Sequence, residues 1–273
     1  MRVVWGPGLH APVAQRVDGD AYAQYIGRWS RLFVPALLDA ADVRDGDRVL
    51  DVATGTGEAA ELALLRIGHS GLVVGSDISA AMLNEACIRL SNARFLPVVT
   101  DGQALVFPDS TFDAVLCQLG LMFFSDPARG LAEFRRVLRP GRRAAVCVIS
   151  LASRAPMWGV LAETLSGYLP RHTETLHLSF SLADVAQLEG LLGAAGFRDT
   201  CVTRETRQGV VPSFDEYWAP IELGTGSLPQ AYLSLPEATR LAIREQVHER
   251  LACFESDGRL EMSVEMLIAS GLA

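Results

Sequence analysis

The 273-residue chain contains no lysine; all 24 of its Lys-or-Arg positions are arginine. A guanidinium does not deprotonate, so a Schiff base to a side-chain amine is impossible and pyridoxal chemistry is excluded. The same absence removes the phosphate-loop nucleotide triphosphatases and the kinases, which both place a lysine on phosphate. It also removes the tyrosine–lysine pair of short-chain reductases. Cysteine is scarce: Cys87, Cys117, Cys147, Cys201 and Cys253 stand 30 or more residues apart. Lying mostly in apolar runs, they read as small core residues of a protein in a reducing compartment, with no metal-ligand spacing. No stretch of 18 uncharged apolar residues occurs, and the first 20 residues hold Gly6, Pro7, Gly8, Pro12, Asp18 and Asp20 instead of a sustained apolar segment. A cytoplasmic protein without membrane insertion is the expectation. Positive charge is also in deficit, at 24 basic against 32 acidic residues for a net charge of −8, which disfavours nucleic acid as a partner.

What is present describes a well-filled globular core, with 49% hydrophobic and 21% charged residues. The order of apolar patterns gives the organisation. Residues 1–18 read as a loose arm. From Ala21 to Leu38, Ile26, Trp29, Phe33 and Leu37 share a helical face, with Gly27 a point of division. Arg48 to Ala53 is a short strand running into Thr54-Gly55-Thr56-Gly57, and a helix follows from Glu58 to Ile67. Leu72 to Ser76 makes a second strand ending in Asp77, and Ser79 caps the next helix. Further strands are expected at Phe95–Val99, Phe112–Cys117 and Ala144–Ser150, with a helix over Ala128–Leu138 that ends before Pro140-Gly141. Such strand–helix units require a parallel sheet covered on both faces. Beyond residue 150, a capping box at Ser181 and Asp184 opens a helix, Phe197–Thr206 is a strand, and Pro212–Leu235 reads as irregular. Ser234 and Glu237 open another helix, and Leu260–Ser270 is a closing strand.

The chemistry concentrates in Val49-Leu50-Asp51-Val52-Ala53-Thr54-Gly55-Thr56-Gly57-Glu58 and in Asp77. A strand turning through glycines into a helix lets a ligand approach the backbone, and a carboxylate at the next strand tip accepts ribose hydroxyls. A nicotinamide dinucleotide fits less well. Ala53 stands where its motif begins with glycine, and Glu58 at the helix N-terminus opposes a pyrophosphate. Asp77, facing a cleft, is expected to support little packing.

These residues, with Asp101-Gly102, Phe112-Asp113 and Val137-Leu138-Arg139-Pro140-Gly141, resemble the class I S-adenosylmethionine-dependent methyltransferases. The likeness is to the branch of ubiquinone and menaquinone C-methyltransferases and related small-molecule enzymes. It covers about residues 45–150. It implies an α/β, Rossmann-like fold with a mostly parallel seven-stranded sheet and helical lid additions. The whole chain would form a single domain of residues 1–273, with N-terminal lid helices at 20–38, a cofactor-binding core at 45–150 and substrate-lid additions at 155–180 and 207–256. S-adenosylmethionine would be the cofactor, S-adenosylhomocysteine the product, and no metal is implied. By the same resemblance Asp51 meets the methionine amino end, Ala53, Gly55 and Gly57 line the cofactor, and Asp77 holds the ribose. Asp101 meets the adenine amino group beside Gly102 and Gln103, Met82 packs on adenine, and Ile78 and Gln118 complete the set. Tyr25 and Arg28 close over the methionine end. Gln118-Leu119-Gly120-Leu121 replaces the Asn/Asp-Pro-Pro-aromatic run of nucleobase and protein-amide methyltransferases. The arginines at 135, 136, 139, 142 and 143 read as a solvated face.

A sulfonium methyl is already electrophilic, so the protein's task is alignment and exclusion of water. The acceptor is expected to be a small apolar or aromatic molecule bound by Tyr22, Trp29, Leu121, Phe123, Trp158, Tyr168, Phe180 and Trp218, together with Phe124. His172 and His177 are the candidate catalytic bases, because imidazole titrates near neutral pH. A place in secondary metabolism and a monomer or homodimer are compatible with this reading. The alternatives are a nicotinamide-dependent oxidoreductase, opposed by Ala53 and Glu58, and a non-catalytic binding protein, opposed by the intact Asp51, Gly55, Gly57, Asp77 and Asp101.

Overall fold

In the computed structural model residues 19–273 are described, so the arm over residues 1–18, with His10, lies outside the described residues. Among the described residues eight strands occur: β1 Arg48–Val52, β2 Leu72–Asp77, β3 Phe95–Val99, β4 Phe112–Gln118, β5 Leu138–Ile149, β6 Arg198–Val211, β7 Glu255–Ser256 and β8 Arg259–Leu272. They form one sheet in the order β3-β2-β1-β4-β5-β8-β6, with the two-residue β7 paired to β8. The pairs β1–β2, β2–β3, β1–β4 and β4–β5 are all parallel. Apolar β-branched and leucine residues buried throughout β1, β2 and β4 are what a strand covered on both faces demands.

The chain divides into two compact units. The sheet unit comprises Ser30–Val148, Leu182–Glu205 and Met266–Ala273. Here the helix Glu58–Arg66 packs on β1 and β2, Ala80–Leu90 on β2 and β3, and Pro127–Val137 on Val185–Ala194. Ser79 caps the Ala80–Leu90 helix through Met82 N–H at 3.3 Å, as the sequence pattern requires. The order β3-β2-β1-β4 puts the carboxyl ends of four parallel strands side by side, the edge at which such sheets bind ligands. The register confirms the alignment, pairing Asp51 with Gly75 and Leu116, and Asp77 with Val99.

The other unit comprises residues 19–29, Ile149–Ser181 and Thr206–Glu265, and is mainly helical. Pro156–Tyr168 packs against Glu237–Leu251 and Ser227–Leu233. Its core is aromatic. Phe214 stacks on His248 at 4.1 Å, Trp218 meets Tyr232 edge-on at 5.2 Å, and Tyr217 donates its hydroxyl to Met157 O at 2.8 Å.

Several local expectations are corrected. Residues 212–235 are not irregular: helices run over Phe214–Glu222 and Ser227–Leu233, the first capped by Ser213 accepting from Glu216 N–H at 3.1 Å. The helix after Leu182 starts at Val185, and its cap is Asp184, which accepts from Gln187 N–H, while Ser181 stays outside it. Ser234 does not open the Glu237–Leu251 helix; its hydroxyl donates back to Ala231 O, ending the preceding one. Near the N-terminus a π-helical turn over Ala23–Gly27 interrupts the helical run, which breaks again before Val34–Ala40. Much of the arginine face is tied in place rather than solvated. Arg136 bonds Glu133, Asp109 and the carbonyls of Leu105 and Phe107, and Arg142 pairs with Asp47. Among the described residues no helix is long and apolar enough to cross a membrane.

Candidate functional site

The sheet unit brings one part of the expected site together at the ends of β1 to β4. As β1 ends, Ala53 takes a left-handed φ of 55°, a conformation that costs a residue with a Cβ about 1 kcal/mol. The turn is affordable here because Gly120, beyond β4, leaves room: a Cβ on Gly120 would stand 2.5 Å from that of Ala53. After Ala53 the chain is fastened to its neighbours. Thr54 N–H donates to Ser76 O at 3.0 Å, and Gly57 N–H donates back to Thr54 O at 2.8 Å. Gly57, at φ 86°, is the N-cap of the Glu58–Arg66 helix, a left-handed position suited to glycine. Arg89 latches the turn from outside by donating to Thr56 O at 2.7 Å. Glu58 is buried, its carboxylate 2.7 Å and 2.9 Å from the Thr56 hydroxyl and 3.9 Å from Arg89.

Two aspartates flank this turn. Asp51, on β1, is completely buried; its Oδ2 accepts from Thr54 Oγ1 at 2.6 Å, and its Oδ1 has no partner. Burial pushes its carboxyl up to about 7, against the Thr54 hydrogen bond, which favours the charged form. Asp77, at the tip of β2, is more than a cleft-facing carboxylate. Oδ2 accepts from Gly55 N–H at 3.0 Å and Oδ1 from Ser79 N–H at 2.8 Å, so it joins the glycine turn to the start of the next helix. The carboxylate, which also meets the Ile78 backbone N–H, still has acceptor capacity left for a ligand hydroxyl. Burial raises its carboxyl above the usual range while the backbone bonds oppose the rise.

The loop after β3 presents Asp101, whose Oδ1 accepts from Gln103 N–H at 2.9 Å and from Gln103 Nε2 at 3.2 Å. Gln103 Oε1 in turn accepts from Asp126 N–H at 2.7 Å and Ser125 Oγ at 3.0 Å. Gly102 lies against Phe124, which meets Phe134 edge-on at 6.1 Å, so Phe124 serves as a wedge under this loop. Met82 is half-buried and Ile78 exposed at the Asp77 corner. Gln118 ends β4 two residues beyond Leu116, the register partner of Asp51. Its Nε2 donates to Ser30 O at 3.1 Å, and its Oε1 is buried without a partner. Leu121 is buried and Phe123 half-buried just beyond.

The remaining expected residues belong to the helical unit. Tyr25 is buried, its hydroxyl unpartnered and its ionisation opposed by burial and by Tyr217. Arg28 and Tyr22 are half-buried, and Trp29 is buried. Trp158 is buried with its indole N–H unpartnered, and Trp218 donates to Glu222 Oε1 at 2.9 Å. Tyr168 accepts from Gln246 Nε2 at 2.8 Å. His177 lies 5.8 Å from Phe180 ring to ring, and His172 has a buried Nδ1 without a partner. Three residues around the turn were not singled out from the sequence: Thr54 and Thr56 in the loop after β1, and Arg89 in the last turn of the Ala80–Leu90 helix. Nothing in their spacing marks them until the left-handed Ala53 folds Thr54 back on Asp51.

The donor set fits S-adenosylmethionine. Asp51 Oδ1 and Gln118 Oε1 are buried acceptors without partners among the described residues, on adjacent strands, and an amino-acid ammonium carries N–H donors that could satisfy such groups. Comparison with known proteins points the same way. The family described as "Methyltransferase domain" matches residues 50–146. The ubiquinone/menaquinone biosynthesis C-methyltransferase of Xanthomonas oryzae pv. oryzae is 42% identical over 218 residues, covering 69% of this chain and 79% of that protein. That of Xanthomonas campestris pv. campestris is 43% identical over 126 residues, and there the chain spans only 48% of the relative's length. Among solved structures, a putative methyltransferase from Bacillus halodurans C-125 has a TM-score of 0.55 at 19% identity, over 88% of this chain and 97% of that one. Haemonchus contortus phosphoethanolamine N-methyltransferase 2, in complex with S-adenosyl-L-methionine, has a TM-score of 0.59 at 18% identity, over 93% and 56%. These two likenesses speak for the fold. Asp51, the glycine turn, Asp77, Asp101 and Gln118 all fall inside the matched segment, and with such relatives this chain belongs to the class I S-adenosylmethionine-dependent methyltransferases.

Proposed function

We propose that this methyltransferase acts on a small apolar aromatic acceptor, and that the methyl group goes to a ring carbon of a reduced quinone. The observation that carries the donor half is the pair of unpartnered buried oxygens on Asp51 and Gln118. The acceptor half draws on the relatives, which are named for C-methylation in ubiquinone and menaquinone biosynthesis, and on the aromatic residues of the helical unit. When bound, S-adenosylmethionine supplies an electrophilic methyl on sulfur. The protein's own contribution is positional. Asp51 and Gln118 hold the amino end, Asp77 the ribose and Asp101 the adenine, so the methyl carbon is fixed for in-line attack. Tyr25 and Arg28 belong to the donor's amino-acid end in this reading. The acceptor falls to Tyr22, Trp29, Leu121, Phe123, Trp158, Tyr168, Phe180 and Trp218.

Attack by a ring carbon forms a C–C bond, breaks the sulfur–methyl bond and leaves one proton to be removed from that carbon. His172 and His177 are the proposed acceptors of this proton or of the phenolic proton before attack. The test is incubation with methyl-labelled S-adenosylmethionine and hydroquinones of the benzene and naphthalene series bearing a short isoprenoid tail, with mass spectrometry of the product. Label on a ring carbon is expected. The same assay on His172→Ala and His177→Ala across pH 6 to 9 should show turnover falling more than donor affinity in at least one. Label on oxygen, or no transfer to either series, overturns the acceptor reading. Wild-type turnover and pH profile in both variants removes the histidines from proton transfer.

A further inference from the structure

Asp51 lies deep in the sheet unit with Glu58 at the start of the following helix, Asp77 at the end of β2 and Cys117 in β4 as the titratable groups that face it. None of these is a cation. Among the described residues, the one side-chain hydrogen bond that its carboxylate receives comes from Thr54, 2.6 Å from Oδ2. Thr54 is itself held on both sides, through its N–H to Ser76 O at 3.0 Å and its carbonyl from Gly57 N–H at 2.8 Å. It is buried, and its branched Cβ restricts χ1, so the direction of the hydroxyl follows from the backbone. An aspartate carboxylate, by contrast, has a broad χ2 and turns easily unless one oxygen is fixed. With Oδ2 fixed, Oδ1 is left without a hydrogen-bond partner among the described residues.

We propose that Thr54 is a positioning residue for the methyl donor: its hydroxyl pins one oxygen of Asp51, so that the other is set in advance to receive the donor's amino group. This rests on the assignment of Asp51 to the amino end of S-adenosylmethionine. The geometry has two consequences. Loss of the hydroxyl leaves the backbone N–H of Ala60 as the remaining restraint on the carboxylate, so it is less well ordered in advance and the amino group must order it on binding. Loss of a hydrogen bond to the charged form also makes the carboxyl harder to ionise, so the affinity that depends on its charge moves to higher pH.

The experiment compares two ligands by titration calorimetry. S-adenosylhomocysteine has the amino-acid end, and 5′-methylthioadenosine shares the adenine, ribose and thioether but lacks it. Thr54→Val, which keeps the shape, should weaken S-adenosylhomocysteine by ~5- to 10-fold. It should leave 5′-methylthioadenosine unchanged and shift the rise of S-adenosylhomocysteine affinity to higher pH. Thr54→Ser should restore both the affinity and the pH profile, and Thr54→Ala replaces the valine variant if the latter does not fold. Asp51→Asn serves as the reference. An equal loss for both ligands in Thr54→Val means that Thr54 only shapes the glycine turn, and overturns the proposal. A selective loss of S-adenosylhomocysteine in Asp51→Asn with none in Thr54→Val also overturns it, while keeping Asp51 at the amino end. No selective loss in Asp51→Asn shows that the Asp51 assignment itself is wrong.

Discussion

Asp51→Asn is expected to weaken S-adenosylhomocysteine binding by roughly 2–4 kcal/mol, or about 30- to 700-fold, because in the proposed assignment it removes the charged partner of a buried ammonium. The same substitution should make the ligand-free protein more stable above neutral pH. Asp51 has a carboxyl raised from its ordinary value of 3.8 to about 7, burial being the chief cause. A raised group contributes stability that is fully present below the unfolded value and is lost as pH rises through the folded one. Between about pH 4 and 7 the native wild type therefore loses stability on this account, while the asparagine variant does not. At pH 8 the stability of the variant relative to the wild type should exceed its value at low pH by about 4 kcal/mol, roughly three pKa units at about 1.4 kcal/mol each. Denaturant titrations of both proteins at pH 5 and pH 8, without ligand, measure the difference. Equal pH dependence would show that Asp51 is ionised at little cost in the native protein. For the wild type, affinity should rise from pH 5.5 to 7.5 as the carboxyl ionises.

Asp77→Ala carries the second large effect, and the structure changes what is expected of it. A carboxylate facing only a cleft would be lost with no cost to the fold. This one accepts from Gly55 N–H and Ser79 N–H, so its removal leaves two backbone donors without partners. Stability should fall by roughly 1–3 kcal/mol, and cofactor affinity by a further 1.5–3 kcal/mol, as the ribose hydroxyls lose their acceptor. Asp77→Asn separates the two, since its single amide oxygen can serve one of the N–H groups. It should recover part of the thermal stability while binding S-adenosylhomocysteine less tightly than the wild type. Thermal unfolding together with calorimetry resolves the contributions. Wild-type affinity in Asp77→Ala would place the ribose elsewhere.

Much of the sheet unit could be read from local pattern because its signals are local. An apolar run, a glycine turn and a capped helix succeed each other within about thirty residues, and the parallel order follows from that alternation. The cap at Ser79 was legible for the same reason. Residues 212–235 were harder to read. Pro212, Pro220 and the glycines at 224 and 226 suggest breaks, yet Ser213 with Glu216 three residues later is a helix-start signal that the prolines obscure. What no local pattern contains is the assignment of partners across the chain. Arg142 meets Asp47, 95 positions away, and Arg136 reaches back to Asp109 and to carbonyls near it, so a run of arginines that reads as solvated is largely engaged. At the site, the sequence marked Asp51 and Asp77 but not what holds them. Thr54 follows a left-handed Ala53, whose Cβ lies where a Cβ on Gly120 would come within 2.5 Å of it.

In the proposed reading the glycine turn and its two aspartates suit a cationic adenosyl donor and not a dinucleotide. Glu58, buried at the N-terminus of the helix after Gly57, places a carboxylate where a pyrophosphate would otherwise be held by the helix end. Calorimetric titration of the wild-type protein with S-adenosylmethionine, S-adenosylhomocysteine and NAD at pH 7.5 tests this directly. Saturable one-to-one binding of the two adenosyl ligands, at concentrations where NAD gives no heat, is the expected result. NAD binding as tight as that of S-adenosylhomocysteine, or tighter, would contradict it.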